Sequence, residues 1–158
     1  MSTDFEGLLR TLAGGEVDFI LVGGLAATVH GSARATYDID VVYGRDPANL
    51  ERLVSAIGPL HPYLRGAPPG LPFRVDAETL AAGLNFTLTT DLGDLDLLGE
   101  IVGGGRYEEL LPDTIVIDVF GFSCRCLSLD ALIRVKRAAG RPKDLDAIAE
   151  LEALADER

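Results

Sequence analysis

The chain has 158 residues, of which 47% are hydrophobic and 25% charged, a balance typical of a globular protein built around one core. Its formal net charge of -11 disfavours broad, non-specific binding to nucleic acid, although a small basic patch is compatible with it. No apolar stretch is long enough to span a membrane, and the N-terminus lacks a signal-peptide pattern, so we expect a cytoplasmic protein without a membrane partner.

The N-terminal part of the chain alternates between helical and strand patterns. Helices are predicted at 3–15, 24–31 and 46–58, and strands at 16–24 and 37–44. Thr3 or Asp4 is the expected N-cap of the first helix, because short polar side chains accept hydrogen bonds from free N–H groups there. The third helix is expected to begin with Asp46 as its cap and Pro47 at its first position.

The C-terminal part opens with a proline-rich stretch at 59–77, which predicts an irregular excursion rather than a domain boundary. Strands follow at 84–90 and 93–99, then a short helix within 103–113, a hairpin over 114–128, and helices at 128–140 and 142–157. This alternation predicts one α/β (or α+β) domain spanning residues 1–158, with a mixed sheet flanked by helices.

Two acidic residues interrupt the apolar run TYDIDVVY. Asp38 and Asp40 are one residue apart, so on a strand they project from the same face. Burying two carboxylates is costly unless a basic partner, a shared proton or a divalent metal ion compensates their charge. The simpler alternative is a pair at a strand end that faces water.

A glycine pair precedes this acidic strand, in LVGGLAATVHG. A strand that runs through Gly23 and Gly24 into a helix exposes backbone N–H groups, which attract phosphate, and glycine lets a ligand approach closely. A plain tight turn is the alternative. Beside a strand that carries paired acids, the glycines indicate half of a nucleotide-phosphate and metal site.

The block VGGLAATVHGSARATYDIDVV resembles the signature of the polymerase-β-like nucleotidyltransferase superfamily. That signature is a hydrophobic residue, Gly, then Gly or Ser, a short helix, and Asp-x-Asp/Glu on the next strand. RATYDIDVV and the later LIRVKRAAGRPKDLDAIAEL are similar to small stand-alone members, which are often encoded in toxin–antitoxin or abortive-infection pairs. The resemblance implies a nucleotidyltransferase fold and transfer of NMP from an NTP to an acceptor hydroxyl, with Mg²⁺ or Mn²⁺.

The resemblance also implies a third carboxylate on a later strand. Asp96 in GDLDLLG is the preferred candidate, and Asp118 in TIVIDVFG is its rival. The implied catalytic and metal-binding residues are Asp38, Asp40 and Asp96, and the implied nucleotide-binding residues are Gly23, Gly24, Arg34, Lys136 and Arg141. Arg34 can equally be a solvated loop residue, and Arg141 can equally serve the helix boundary at Gly140.

The acceptor stays open at this point. A tRNA 3′ end, a hydroxyl of a partner protein and a small molecule all suit the chemistry, and a cognate toxin or antitoxin partner is implied by the resemblance alone. Two rival functions use the same residues: a catalytically silent binding subunit and a metal-dependent nucleotide hydrolase.

Overall fold

The computed structural model describes residues 2–158. The strands are β1 (Phe19–Val22), β2 (Asp38–Tyr43), β3 (Tyr63–Leu64), β4 (Asn85–Thr90), β5 (Gly93–Leu98), β6 (Glu100–Ile101), β7 (Gly105–Arg106), β8 (Thr114–Val119) and β9 (Phe122–Leu127). The α-helices are α1 (Phe5–Gly14), α2 (Gly23–Val29), α3 (Pro47–Ile57), α4 (Ala77–Ala82), α5 (Tyr107–Leu110), α6 (Leu129–Ala139) and α7 (Leu145–Asp156).

Seven of these strands form one mixed sheet in the order β3-β4-β5-β2-β1-β9-β8, while β6 and β7 pair separately. The β2–β5 and β1–β9 pairs are parallel, and the other pairs of the sheet are antiparallel. The predicted α/β class with a mixed sheet flanked by helices is therefore confirmed. Among residues 2–158, no helix combines the length and the apolar character that crossing a membrane requires.

The two central strands each have one apolar and one acidic face. Ile39 and Val41 of β2, like Leu95 and Leu97 of β5, are fully buried and belong to the same hydrophobic cluster as residues of α1 and α3. Since side chains alternate along a strand, the acidic residues between them must project from the opposite face. The buried apolar residues thus fix the direction in which the carboxylates point.

Two segments differ from the sequence-based expectation. The glycine pair forms the first residues of α2 rather than a turn before it, because Val22 is the N-cap. The stretch at 59–77 was predicted to be irregular, but it contains the two-residue strand β3, and α4 begins at its end. Asp76 caps α4 by accepting a 2.7 Å hydrogen bond from the Thr79 N–H. The expected Asp46 cap and Pro47 start of α3 are confirmed.

Candidate active site

The parallel register of β2 and β5 brings the acids of the two strands together. Asp38 lies opposite Asp94, and Asp40 lies opposite Asp96. Carboxylate oxygens of Asp38, Asp40 and Asp96 lie within 4.8 Å of one another, a spacing that a single metal ion can bridge. The rival candidate Asp118 is on the edge strand β8, where its Oδ1 accepts a 2.6 Å hydrogen bond from Ser123.

Burial and mutual repulsion make the ionised forms of these acids unfavourable. Burial, reinforced by the charges of Asp38 and Asp96, raises the pKa of Asp40 to about 8. Burial and the nearby Asp96 also raise the pKa of Asp38. Asp40 Oδ1 is buried and has no hydrogen-bond partner among residues 2–158. An all-oxygen donor set with an unpartnered buried oxygen fits a hard divalent cation such as Mg²⁺ or Mn²⁺.

Gly23 and Gly24 lie where a side chain would collide with Asp40 of this cluster or with Thr36, which precedes the acidic strand. Gly23 has a φ of +71°, and a Cβ there would overlap Asp40 Oδ2. A Cβ on Gly24 would lie 2.7 Å from Thr36 Oγ1, which is closer than real Cβ contacts. The glycine pair therefore permits the close approach of α2 to the acidic strand, and at Gly23 it also permits a left-handed backbone.

A cavity of about 430 Å³ opens beside Asp40 and Gly23. Its wall is largely apolar, with contributions from Leu98, Leu127, Leu132 and Val135 among others. Lys136 and Arg141 line it as well, and the acidic residues of the lining are Asp40 and Glu100, so two cationic and two acidic side chains face the same space. Such a cavity can take an anion with an apolar body.

The cationic wall has a buried anchor. Asp144, which is 6% exposed, lies 3.6 Å from Lys136 Nζ and accepts a 2.7 Å hydrogen bond from Arg141 Nε. Burial acts to raise the pKa of Asp144, but the hydrogen bond from Arg141 and the charge of Lys136 outweigh it and lower that pKa. Asp144 is therefore ionised at neutral pH and fixes both cations relative to the end of α6 and the start of α7.

Of two arginines near the acidic strands, the structure places Arg34 outside the cavity and Arg65 against the acid cluster. Arg34 is half exposed, its Nε is 3.9 Å from Glu150, and it does not line the cavity. Its predicted role in phosphate binding stays a prediction. Arg65, which sequence analysis did not single out, donates a 2.7 Å hydrogen bond to Asp96. The only feature of the sequence that could have indicated this role is that Arg65 directly follows the apolar pair Tyr63–Leu64 within the proline-rich stretch.

Comparison with known proteins supports the fold and leaves the activity open. No protein-family model and no curated protein matches the chain. A solved structure from Thermotoga maritima, described as a "putative nucleotidyltransferase", is similar with a TM-score of 0.54 and 13% sequence identity. The match covers 99% of this chain and 98% of that one. At this identity the likeness concerns the fold, and the chain has a nucleotidyltransferase-like fold.

Proposed function

We propose that this protein is a metal-dependent nucleotidyltransferase that transfers NMP from an NTP to an acceptor hydroxyl. One observation carries the proposal: three carboxylates from two adjacent strands converge, and one of them, Asp40, lines a cavity that Lys136 and Arg141 also line. Metal-held carboxylates and a separate phosphate-binding wall are the two components that phosphoryl transfer requires, because catalysis there depends on positioning and charge compensation.

Asp38, Asp40 and Asp96 are the residues that would hold the divalent cation. When bound, Mg²⁺ or Mn²⁺ supplies positive charge at the α-phosphate and lowers the pKa of an attacking hydroxyl. The acceptor oxygen forms a bond to the α-phosphorus while the bond from that phosphorus to the bridging oxygen breaks, and pyrophosphate leaves. Asp96 is the candidate to accept the proton of the acceptor hydroxyl.

The cavity suits the nucleotide in two respects. Lys136 and Arg141 provide positive charge for the phosphates, and their shared anchor Asp144 limits how far either can move. Gly23 lines the cavity next to Asp40, and because it has no side chain its backbone can lie directly against the Asp40 carboxylate. The apolar residues of the wall, with Leu98 and Val135 among them, would pack against the sugar and base.

The acceptor and the biological setting are proposed from the sequence resemblance. RATYDIDVV and the LIRVKRAAGRPKDLDAIAEL block are similar to small stand-alone enzymes of toxin–antitoxin pairs, which supports a cytoplasmic role in such a pair. RNA, a partner protein or a small molecule would then carry the accepting hydroxyl. The net charge of -11 restricts any RNA contact to the basic residues near the cavity.

The test is incubation with each α-³²P-labelled NTP, Mg²⁺ and a cell lysate, followed by separation of RNA, protein and small molecules. We expect label on one acceptor class with the wild type, and none with Asp38→Asn or Asp40→Asn. Asp118→Asn is the matched control, because Asp118 is an acid of the same sheet outside the cluster, and it should transfer label normally.

The alternatives predict different products. Release of free phosphate or NMP without a labelled acceptor would indicate a hydrolase. Binding of NTP with Mg²⁺ but no release and no transfer would indicate a silent binding subunit. Unchanged transfer by both Asp38→Asn and Asp40→Asn would contradict the assignment of the site.

A further inference from the structure

The guanidinium of Arg65 lies against three carboxylates of the acid cluster. Its Nη2 is 2.7 Å from Asp96 Oδ1, its Nε is 3.4 Å from Asp94 Oδ1, and its Nη1 is 3.8 Å from Asp38 Oδ2. Two of these partners belong to the triad that would hold a divalent cation. Arg65 is thus a positively charged group of the chain itself at a site whose chemistry favours cations.

Neutral contacts hold Arg65 in this place independently of the acids. Its backbone N–H donates a 3.0 Å hydrogen bond to the Thr87 carbonyl, directly after the β3–β4 pairing. Its Nη2 also donates a 2.6 Å hydrogen bond to the Leu88 carbonyl. The side chain is 28% exposed, so the guanidinium is largely withdrawn from solvent. Because one end of the residue is fixed to the sheet, the guanidinium is pre-organised over β5.

Arg65 contacts the cluster on one side only. Within residues 2–158 its ion pairs are with Asp38, Asp94 and Asp96, and none is with Asp40. Asp40 instead lines the nucleotide cavity and keeps one buried oxygen without a partner. A single guanidinium also leaves most of the charge of four carboxylates uncompensated. Arg65 therefore contacts one side of the cluster, and the side at Asp40, which faces the cavity, remains available to a divalent cation.

Sites in which clustered carboxylates promote phosphoryl transfer often hold two divalent ions. We infer that Arg65 takes the place of the second ion, so that the nucleotide-free protein binds one Mg²⁺ or Mn²⁺ instead of two, at Asp40 and at those oxygens of Asp38 and Asp96 that Arg65 does not contact. This inference rests on the metal site of the proposed function. A guanidinium on Asp96 and Asp38 repels a cation that approaches the same oxygens, and it occupies the space such a cation would need. The chain itself thereby sets the number of ions that the acids bind.

The experiment counts bound Mn²⁺ in the nucleotide-free protein by electron paramagnetic resonance, with folding checked by circular dichroism. We expect one bound ion for the wild type and two for Arg65→Gln, with the second bound roughly tenfold or more tightly than by the wild type. Arg10→Gln is the control for net charge, because Arg10 pairs with Glu6 on the exposed face of α1, and it should bind one ion.

If Arg65→Gln does not fold, Arg65→Lys carries the test. A lysine is a compact point charge that cannot contact all three carboxylates together. A second ion should therefore bind the Arg65→Lys protein more tightly than it binds the wild type. One ion in every folded Arg65 variant, or two in the wild type, overturns the inference and leaves the proposed function standing. No ion bound by the wild type, with or without NTP, overturns the proposed metal site as well.

Discussion

At the scale of single residues, Asp40 is the acid whose negative charge is in conflict with its surroundings, because burial and two neighbouring carboxylates both disfavour it. It faces Asp38 and Asp96, it is not paired with Arg65, and its Oδ1 has no partner among residues 2–158. Groups kept in such surroundings reduce the stability of a fold and are found where function requires them. A divalent cation at Asp40 would remove the conflict.

This conflict predicts a stability effect that depends on pH. The folded pKa of Asp40, about 8, lies above the ordinary aspartate pKa of 3.8, so protonated Asp40 stabilises the fold. That contribution is complete below about pH 4 and is lost as the pH rises through about 8. Asp40→Asn has no such loss, so in EDTA its free energy of unfolding should exceed that of the wild type by about 0.5–2 kcal/mol near pH 8.

Urea denaturation at several pH values measures this difference. The gain of Asp40→Asn over the wild type should grow between about pH 4 and about pH 8. Addition of Mn²⁺ should stabilise the wild type and leave Asp40→Asn unchanged, since only the wild type retains the full ligand set. Parallel pH profiles for the two proteins would mean that Asp40 is not buried against its neighbours as described.

Gly23 supplies a second prediction at the residue scale. Gly23→Ala forces a side chain into a left-handed backbone, at a cost of about 1–2 kcal/mol, and drives its Cβ into Asp40. We therefore expect a lower melting temperature and weaker Mn²⁺ binding. Gly14→Ala is the control, because its Cβ would meet nothing within 4 Å in α1, and it should be neutral or stabilising. Equal effects of both substitutions would contradict the close approach.

The sequence could predict some of these residues and not others, for a physical reason. Alternation along a strand places Asp38 and Asp40 on one face, and that information is local. The role of Arg65 depends on contacts with Leu88 and Asp96, which are 23 and 31 residues away in the chain. No local pattern encodes such contacts. They arise only once β3 has joined the edge of the sheet.

At the scale of elements, the junction between α6 and α7 positions Lys136 and Arg141, the wall proposed to bind phosphate. α6 ends at Gly140, whose φ of +64° reverses the chain, and Asp144 then returns to contact Lys136. The sequence predicted this boundary because a glycine stop and a following proline are strong helix signals. It did not predict β3, since a strand of two residues has too few positions for a pattern.

This wall predicts different effects for two lysines of the same basic segment. Lys136→Ala removes a cation that lines the cavity, and NTP affinity should fall roughly 10- to 100-fold, as for the loss of one charged hydrogen bond. Lys143→Ala removes the same charge from an exposed position outside the cavity lining and should have little effect. Calorimetry with a non-hydrolysable NTP measures both. Equal losses of NTP affinity in the two variants would mean that Lys136 contributes only its net charge and does not contact the nucleotide.

At the scale of the whole molecule, the proposed function requires a chain with a net charge of -11 to bind an anionic nucleotide. The structure offers positive charge locally, with Lys136 and Arg141 in the lining of the cavity and a candidate cation site that includes Asp40 of the same lining. Composition alone indicated that broad nucleic-acid binding is disfavoured, but it could not reveal how the few basic residues are distributed. The distribution of the basic residues follows from the α6–α7 junction, and the strand order separates Asp118 from the acids of β2 and β5.

The central claim is that Asp38, Asp40 and Asp96 jointly bind a divalent cation next to the nucleotide cavity. Crystals grown with Mn²⁺ and a non-hydrolysable NTP, measured at the manganese absorption edge, test it directly. We expect an anomalous peak at about 2.0–2.2 Å from carboxylate oxygens of all three residues, with the phosphates extending towards Lys136. A fully occupied nucleotide without a peak at these carboxylates, or with the peak at other acids, would contradict the account.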